Sequence, residues 1–235
     1  MAAPLLDLQG LVFTWPGSRQ PTLRVPAFRV SAGDTVFLHG PSGSGKSTLL
    51  SLMAGVLLPA EGRVSLCGRA WADLGLAARD RHRVDHVGYI FQQFNLLSYL
   101  TVIDNVLLPC QFSRLRRERA VARDGTPRAQ AQRWLQAMGL ESELWGRSAV
   151  QLSVGQQQRV AAARALMGEP ELIVADEPTS ALDEDRRDAF MDLLLGASAS
   201  TGSAVVFVSH DQRLAPRFAR QVSVASLCAP QEASA

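Results

Sequence analysis

The first forty positions alternate apolar and polar residues in short runs broken by turn formers. Residues 5–13, 23–30 and 35–39 read as strands, separated by Trp15-Pro16-Gly17-Ser18 and by Gly33-Asp34. At 46–56 the apolar spacing changes to a helical one, with Leu49, Leu50, Met53 and Ala54 on the buried side. Strands follow at 63–67 and 86–91, and then the pattern turns helical over 101–109, 127–138 and 155–167. Residues 123–127 read as a loop between helices. The ending returns to α/β order: strand 172–175, helix 183–195, strand 204–208 and a short strand at 222–225, before a frayed tail at 231–235. Strands that are apolar throughout belong to a parallel sheet covered on both faces. The expected class is therefore α/β. An antiparallel β subdomain opens the chain, a core spans about 1–91 and 168–235, and a helical insertion occupies 92–167.

Composition narrows this only in places. A length of 235 residues suits one domain with a substantial core. A net charge of +2 gives no electrostatic reason to expect a nucleic-acid partner. Cys67, Cys110 and Cys228 are widely spaced and form no C-x-x-C pair, so neither a disulfide framework nor a zinc motif is expected, and a reducing cytosol is. No run reaches the ~18 apolar residues of a membrane span, and the opening residues lack the pattern of a signal peptide. A membrane role would need a partner.

The candidate chemistry begins at Lys46, the only lysine, every other basic residue counted with it being arginine. It stands in Gly40-Pro41-Ser42-Gly43-Ser44-Gly45-Lys46-Ser47-Thr48, a G-x-x-x-x-G-K-[ST] loop between a strand and a helix. A compact ammonium fits between phosphate oxygens where a planar guanidinium does not. The glycines let successive N–H groups face the phosphates, and the Ser47 hydroxyl is suited to Mg²⁺. Leu172-Ile173-Val174-Ala175-Asp176-Glu177 supplies the complement, carrying acids to the C-terminal edge of a buried strand, where ligand chemistry gathers. Asp176 is placed for Mg²⁺ and Glu177 for polarising the attacking water. A nucleoside triphosphate with Mg²⁺ is the expected ligand pair. A guanine-specific N-K-x-D motif is excluded, because it would need a second lysine.

A nucleoside kinase would share the loop but leave Leu152-Ser153-Val154-Gly155-Gln156-Gln157-Gln158-Arg159 without a purpose. That segment resembles the L-S-G-G-Q signature of ABC-type ATPases. Asp176-Glu177-Pro178-Thr179 and Ser180-Ala181-Leu182-Asp183 follow in the family's order, and the resemblance covers about residues 5–224. It implies a P-loop NTPase (RecA-like) core with an N-terminal antiparallel β subdomain and an inserted α-helical signature subdomain. It also implies a head-to-tail pair of ATPase subunits, expected to be a homodimer, with ATP held by the phosphate loop of one and by Ser153, Gly155 and Gln156 of the other. Asp183 joins that nucleotide-binding set. Gln92, with Gln93 as its neighbouring alternative, matches the glutamine loop near Mg²⁺; His210 matches the switch histidine; Trp15, or else Phe13, matches the aromatic that stacks on adenine. Val154 replaces the first signature glycine, adding a β-branched side chain and removing access to φ > 0, so a working but slower site is expected.

Residues 94–109 resemble the corresponding stretch in ATPases of the lipoprotein-releasing and macrolide-exporter type. The implied role is powering a separate integral-membrane permease from the cytoplasmic face of the plasma membrane. Leu96, Leu97, Tyr99 and Leu100 are candidates to receive that partner or to pack the helical subdomain, and Arg114, Arg116, Arg117, Arg119 and Arg123 read as a solvated helix face in preference to a contact with lipid headgroups. Two alternatives stay open: a regulator that signals to a membrane partner without moving solute, and a soluble ABC ATPase, which the absence of a second ABC domain, a coiled coil and a basic tail disfavours.

Overall fold

The computed structural model describes residues 3–180 and 182–228; Ala181 and the tail at 231–235 lie outside them. The chain runs β1 (Leu6–Phe13), β2 (Leu23–Val30), β3 (Thr35–His39), α1 (Lys46–Met53), β4 (Glu61–Leu66), β5 (Arg69–Ala70), α2 (Leu76–His86) and β6 (Val87–Ile90). It continues through α3 (Val102–Phe112), α4 (Arg114–Asp124), α5 (Pro127–Ala137), α6 (Val154–Leu166), β7 (Leu172–Asp176), α7 (Glu184–Thr201), β8 (Ala204–Val208), β9 (Arg220–Ser223) and α8 (Val224–Cys228).

The alternating strands of the opening form an antiparallel sheet in the order β2-β1-β4-β5, and the apolar strands form a five-stranded sheet in the order β6-β7-β8-β3-β9. All four pairings of the latter are parallel. Its two faces feed different cores, because successive strand residues point to opposite sides. Ile173, Ala175, Val205 and Phe207 pack with helices α3, α5, α6 and α7, whereas Leu172, Val174, Val206 and Val208 pack with α1 and the antiparallel sheet. A strand buried on both sides can carry no polar residue until it ends, which is why the acids at 176 and 177 stand at the sheet's edge.

Several boundaries differ from the sequence reading. Helix α1 stops at Met53 rather than near 56, since Gly55 turns the chain at φ +68° against the Trp71 indole, where a Cβ would come within 2.4 Å. Residues 76–85, read as no element, form α2 together with His86, read as the start of the next strand; only His82 is buried on the helix, so no apolar period betrays it. Helix α3 passes through Pro109 to Phe112. The chain end pairs as a strand at 220–223 and then turns helical at 224–228, not a strand over 222–225.

The arginine-rich stretch is a helix, but not a uniformly solvated one. Arg116 is 1% exposed and donates to the Met167 and Asp85 carbonyls, while Arg119 pairs with Glu171 at 2.6 Å. These guanidiniums tie α4 to the edge of the parallel sheet, because each finds acceptors there that replace its lost water. Among the described residues, no helix is long and apolar enough to cross a membrane.

Candidate functional site

Strand β3 ends at His39 and the glycine loop returns the chain into α1. Gly45 is the left-handed cap of that helix at φ +88°, and a Cβ there would meet Leu23 at 2.8 Å, so a larger residue would push the loop off the antiparallel sheet. Lys46 is 8% exposed and folds back inside the loop, its Nζ donating to the carbonyls of Gly40 at 2.9 Å and Pro41 at 3.0 Å. The same ammonium lies 3.8 Å from Glu177 Oε1. Ser44 Oγ is buried with no partner among the described residues. A loop that holds its one ammonium on carbonyls and leaves a hydroxyl unpaired is fitted to an incoming polyanion.

The acid edge faces that loop. Asp176 is the last residue of β7, level with Val208 of β8, and burial pushes its carboxyl above the ordinary aspartate range. The Ser47 hydroxyl opposes this by bonding the charged form; Glu177 adds to the rise and Lys46 reduces it. Glu177 donates its N–H to the Val208 carbonyl at 3.0 Å and sits at φ +45°, a left-handed conformation that a glutamate holds only where neighbours impose it. His210, just beyond β8, places Nδ1 2.7 Å from Glu177 Oε2, with Nδ1–H donating to the carboxylate. Two parallel strands thus end in residues that touch.

A cleft of about 450 Å³ is lined by Trp15, Thr22, Ser42, Gly43, Gly45, Lys46, Ser47, Thr48, Gln92, Asp176 and Glu177. Of the two aromatic candidates, Trp15 faces this cleft and is 45% exposed, whereas Phe13 is buried and meets Trp15 edge-on at 5.1 Å. Gln92 lines the cleft between β6 and α3. Gly40 and Pro41 contribute their carbonyls to Lys46, and His210 reaches the cleft only through Glu177.

Ser153, Gly155 and Gln156 are not in that cleft. They begin α6 and line a separate hollow of about 280 Å³ with Leu182, Arg186 and Phe190. Ser153 Oγ accepts from the Gln156 N–H while Gln156 Oε1 accepts from the Ser153 N–H, a reciprocal cap that fixes the exposed helix start. Val154 is the first residue of α6 with ordinary helical backbone, so the left-handed conformation that a glycine would permit is not used here. The expected backbone penalty at this position is absent; the branched side chain, 49% exposed, is what distinguishes it. Asp183 also lies outside the cleft, capping α7 by accepting from the Arg186 N–H at 3.0 Å.

Two contributors had no role in the sequence reading. Arg164, inside α6, is half-buried and donates to the Asn95 carbonyl at 2.7 Å and the Phe94 carbonyl at 2.5 Å, joining the signature helix to the segment that follows Gln92. Its only signal was a charge within an apolar helical run. Asp211 accepts from buried Arg187 and from Arg213, fixing the backbone beside His210; the Arg213 hydrogen bond, with the charge of Arg187, holds its carboxyl down at about 2 against the opposing effect of burial.

Strand, glycine loop, helix and an acid-tipped strand two places along the same parallel sheet define a P-loop nucleoside triphosphatase. The model of the ABC transporter family matches residues 23–180, and the chain belongs to that family as one of its ATPases. It is 42% identical over 189 residues to the uncharacterized ABC transporter ATP-binding protein YbbA of Escherichia coli strain K12, covering 80% of this chain and 79% of that one. It is 37% identical over 203 residues to the lipoprotein-releasing system ATP-binding protein LolD of Hydrogenovibrio crunogenus, covering 86% and 85%. It also matches, at 36% identity over 94% of its length, a third of the macrolide export ATP-binding/permease protein MacB of Shigella sonnei. Among solved structures, the dimeric ATP-binding cassette MJ0796 in a post-hydrolysis state with ADP and Pi superposes at a TM-score of 0.79, with 34% identity and 93% of both chains covered.

Proposed function

We propose that this chain hydrolyses ATP as one half of a head-to-tail pair and drives a separate integral-membrane permease from the cytoplasmic face of the membrane. The observation that carries the reading is the separation of the two halves of the site. The Lys46 cleft and the Ser153 helix start occupy different hollows of one chain, so a second copy is needed to bring them onto one nucleotide. In this reading Lys46 leaves its two carbonyls for the β- and γ-phosphates, and loop N–H groups and the α1 terminus bind the remaining oxygens. Trp15 stacks on the base. Ser153, Gly155 and the N-terminus of α6 from the second copy close over the γ-phosphate.

The oxygen donors of Ser47, Asp176 and Gln92 suit Mg²⁺ as a hard cation, and these residues would hold it. When bound it neutralises developing charge on the phosphates. Glu177 takes a proton from the attacking water, and His210 holds that carboxylate in place. Gln92 reports the state of the cleft to α6 through Phe94, Asn95 and Arg164. The exposed side chains Tyr99 and Phe112, with an apolar groove that includes Leu108 and Pro109, offer the permease a surface close to this segment. The kinship with the lipoprotein-releasing and macrolide-export proteins supports a release or export system in which the permease selects the cargo.

Affinity capture of the unmodified chain from detergent-solubilised membranes tests the reading. The expected result is an integral-membrane protein that co-isolates and raises the ATPase rate. Recovery of the chain alone from the soluble fraction, with no such partner, would overturn it.

A further inference from the structure

Cys67, His86 and Glu171 are far apart in sequence, yet their ligand atoms all lie within 4.8 Å of one another, on the side of the parallel sheet's β6 edge away from the acid tips. We propose that these three residues form a binding site for a borderline-soft divalent cation of the Zn²⁺ type, with solvent as the fourth ligand. Thiolate, imidazole and carboxylate are the donor set such a cation prefers. The distances suit it: His86 Nδ1 is 2.9 Å from Glu171 Oε2, close to the ~3.3 Å between two light-atom ligands of a tetrahedral ion with bonds of about 2.0 Å. Arg119 grips Oε1 of the same carboxylate at 2.6 Å and its Nη1 lies 3.3 Å from Oε2, which orients the group as outer partners of metal ligands do. Binding displaces the protons held on the thiol and the imidazole.

A second observation comes from the backbone. Cys67 and Gly68 are the two-residue turn between β4 and β5, at φ +50° and +74°. Such a turn favours Asn-Gly, and a cysteine there carries a strained left-handed conformation while its half-buried side chain lies against the core below the antiparallel sheet. A thiol stands where an asparagine would meet the backbone conformation more easily. The cluster also joins three parts of the fold: the β4–β5 turn, the end of α2 and the residue leading into β7. A bound ion would clamp the antiparallel sheet to the edge of the parallel one.

The test uses the full chain, free of nucleotide and stripped with EDTA. One equivalent of Co²⁺ should give a thiolate-to-cobalt charge-transfer band and intense tetrahedral visible bands, both abolished by Zn²⁺. Cys67→Asn should fold at least as stably by circular dichroism and lose the charge-transfer band, and His86→Gln should lose the tetrahedral bands. Cys110→Ser and Cys228→Ser should keep both, and Arg119→Gln should bind about 10- to 100-fold more weakly. Absence of the band in the unmodified chain, or its survival in Cys67→Asn, would overturn the proposal.

Discussion

His210 and Glu177 are held 2.7 Å apart although 33 residues separate them, because β7 and β8 are parallel neighbours whose ends lie side by side. The same pairing supplies the Val208 carbonyl that fixes the Glu177 backbone in its left-handed turn. The carboxylate is thereby constrained from both its main chain and its side chain.

Glu177→Gln is expected to lower kcat by about 10²–10⁴-fold, the usual contribution of a positioned base, while ATP binding persists and a nucleotide-bound dimer accumulates. Steady-state ATPase assays with size-exclusion chromatography check this. A turnover rate equal to the unmodified chain would remove Glu177 from the base role. His210→Ala should lower kcat with little change in KM, since His210 acts through Glu177.

Arg164→Leu should uncouple α6 from the segment after Gln92. It strands the Phe94 and Asn95 carbonyls, at a stability loss of about 1–3 kcal/mol, and should reduce permease-stimulated more than basal ATPase activity. Urea denaturation alongside the two rate measurements separates these effects; equal losses in both rates would mean that Arg164 only supports the fold.

Val154→Gly removes an exposed branched side chain from the signature start without relieving any backbone strain. Hydrolysis should equal or exceed that of the unmodified chain, whereas stability should fall by up to ~1 kcal/mol from the greater freedom of glycine at a helical position. Slower hydrolysis in the variant would show that the valine serves the site.

Asp211 has its pKa depressed to about 2 from an ordinary 3.8, first by the hydrogen bond from Arg213 and further by the charge of Arg187, against an opposing effect of burial. A depressed carboxyl contributes stability that is fully present above its unfolded pKa and is lost as pH falls through the folded one. Stability should therefore decline from about pH 4 toward pH 2, and Asp211→Asn should flatten this part of the profile. Thermal melts across that range decide it; an unchanged slope would mean that the Arg187 and Arg213 contacts do not persist in solution.

The strands near the nucleotide cleft were legible for two reasons: burial on both faces demands apolar runs, as at 35–39 and 204–208, whereas 23–30 alternates as a strand covered on one face does, and all three appear with the boundaries those patterns predict. The glycine loop was legible for a related reason, since few other functions need that spacing. Helix α2 was not, because Leu-Ala-Ala-Arg-Asp-Arg-His-Arg-Val-Asp-His buries only His82 and holds its place through polar contacts such as Arg83 to the Gly55 carbonyl. Arg116 shows the same limit: a charge reads as solvated until the structure reveals the carbonyl that replaces its water. Nor could spacing show that Cys67, His86 and Glu171 meet, since their proximity depends on which strands are neighbours.

Lys46 also gives the molecule a chemical address. Apart from the α-amino group, its ε-amine is the only primary amine on the chain, and it is nearly enclosed and tied to two carbonyls beside Glu177. Acylating reagents should therefore leave the folded protein with one slow, separable modification, whose rate reads the opening and closing of the cleft directly from the mass of the intact chain.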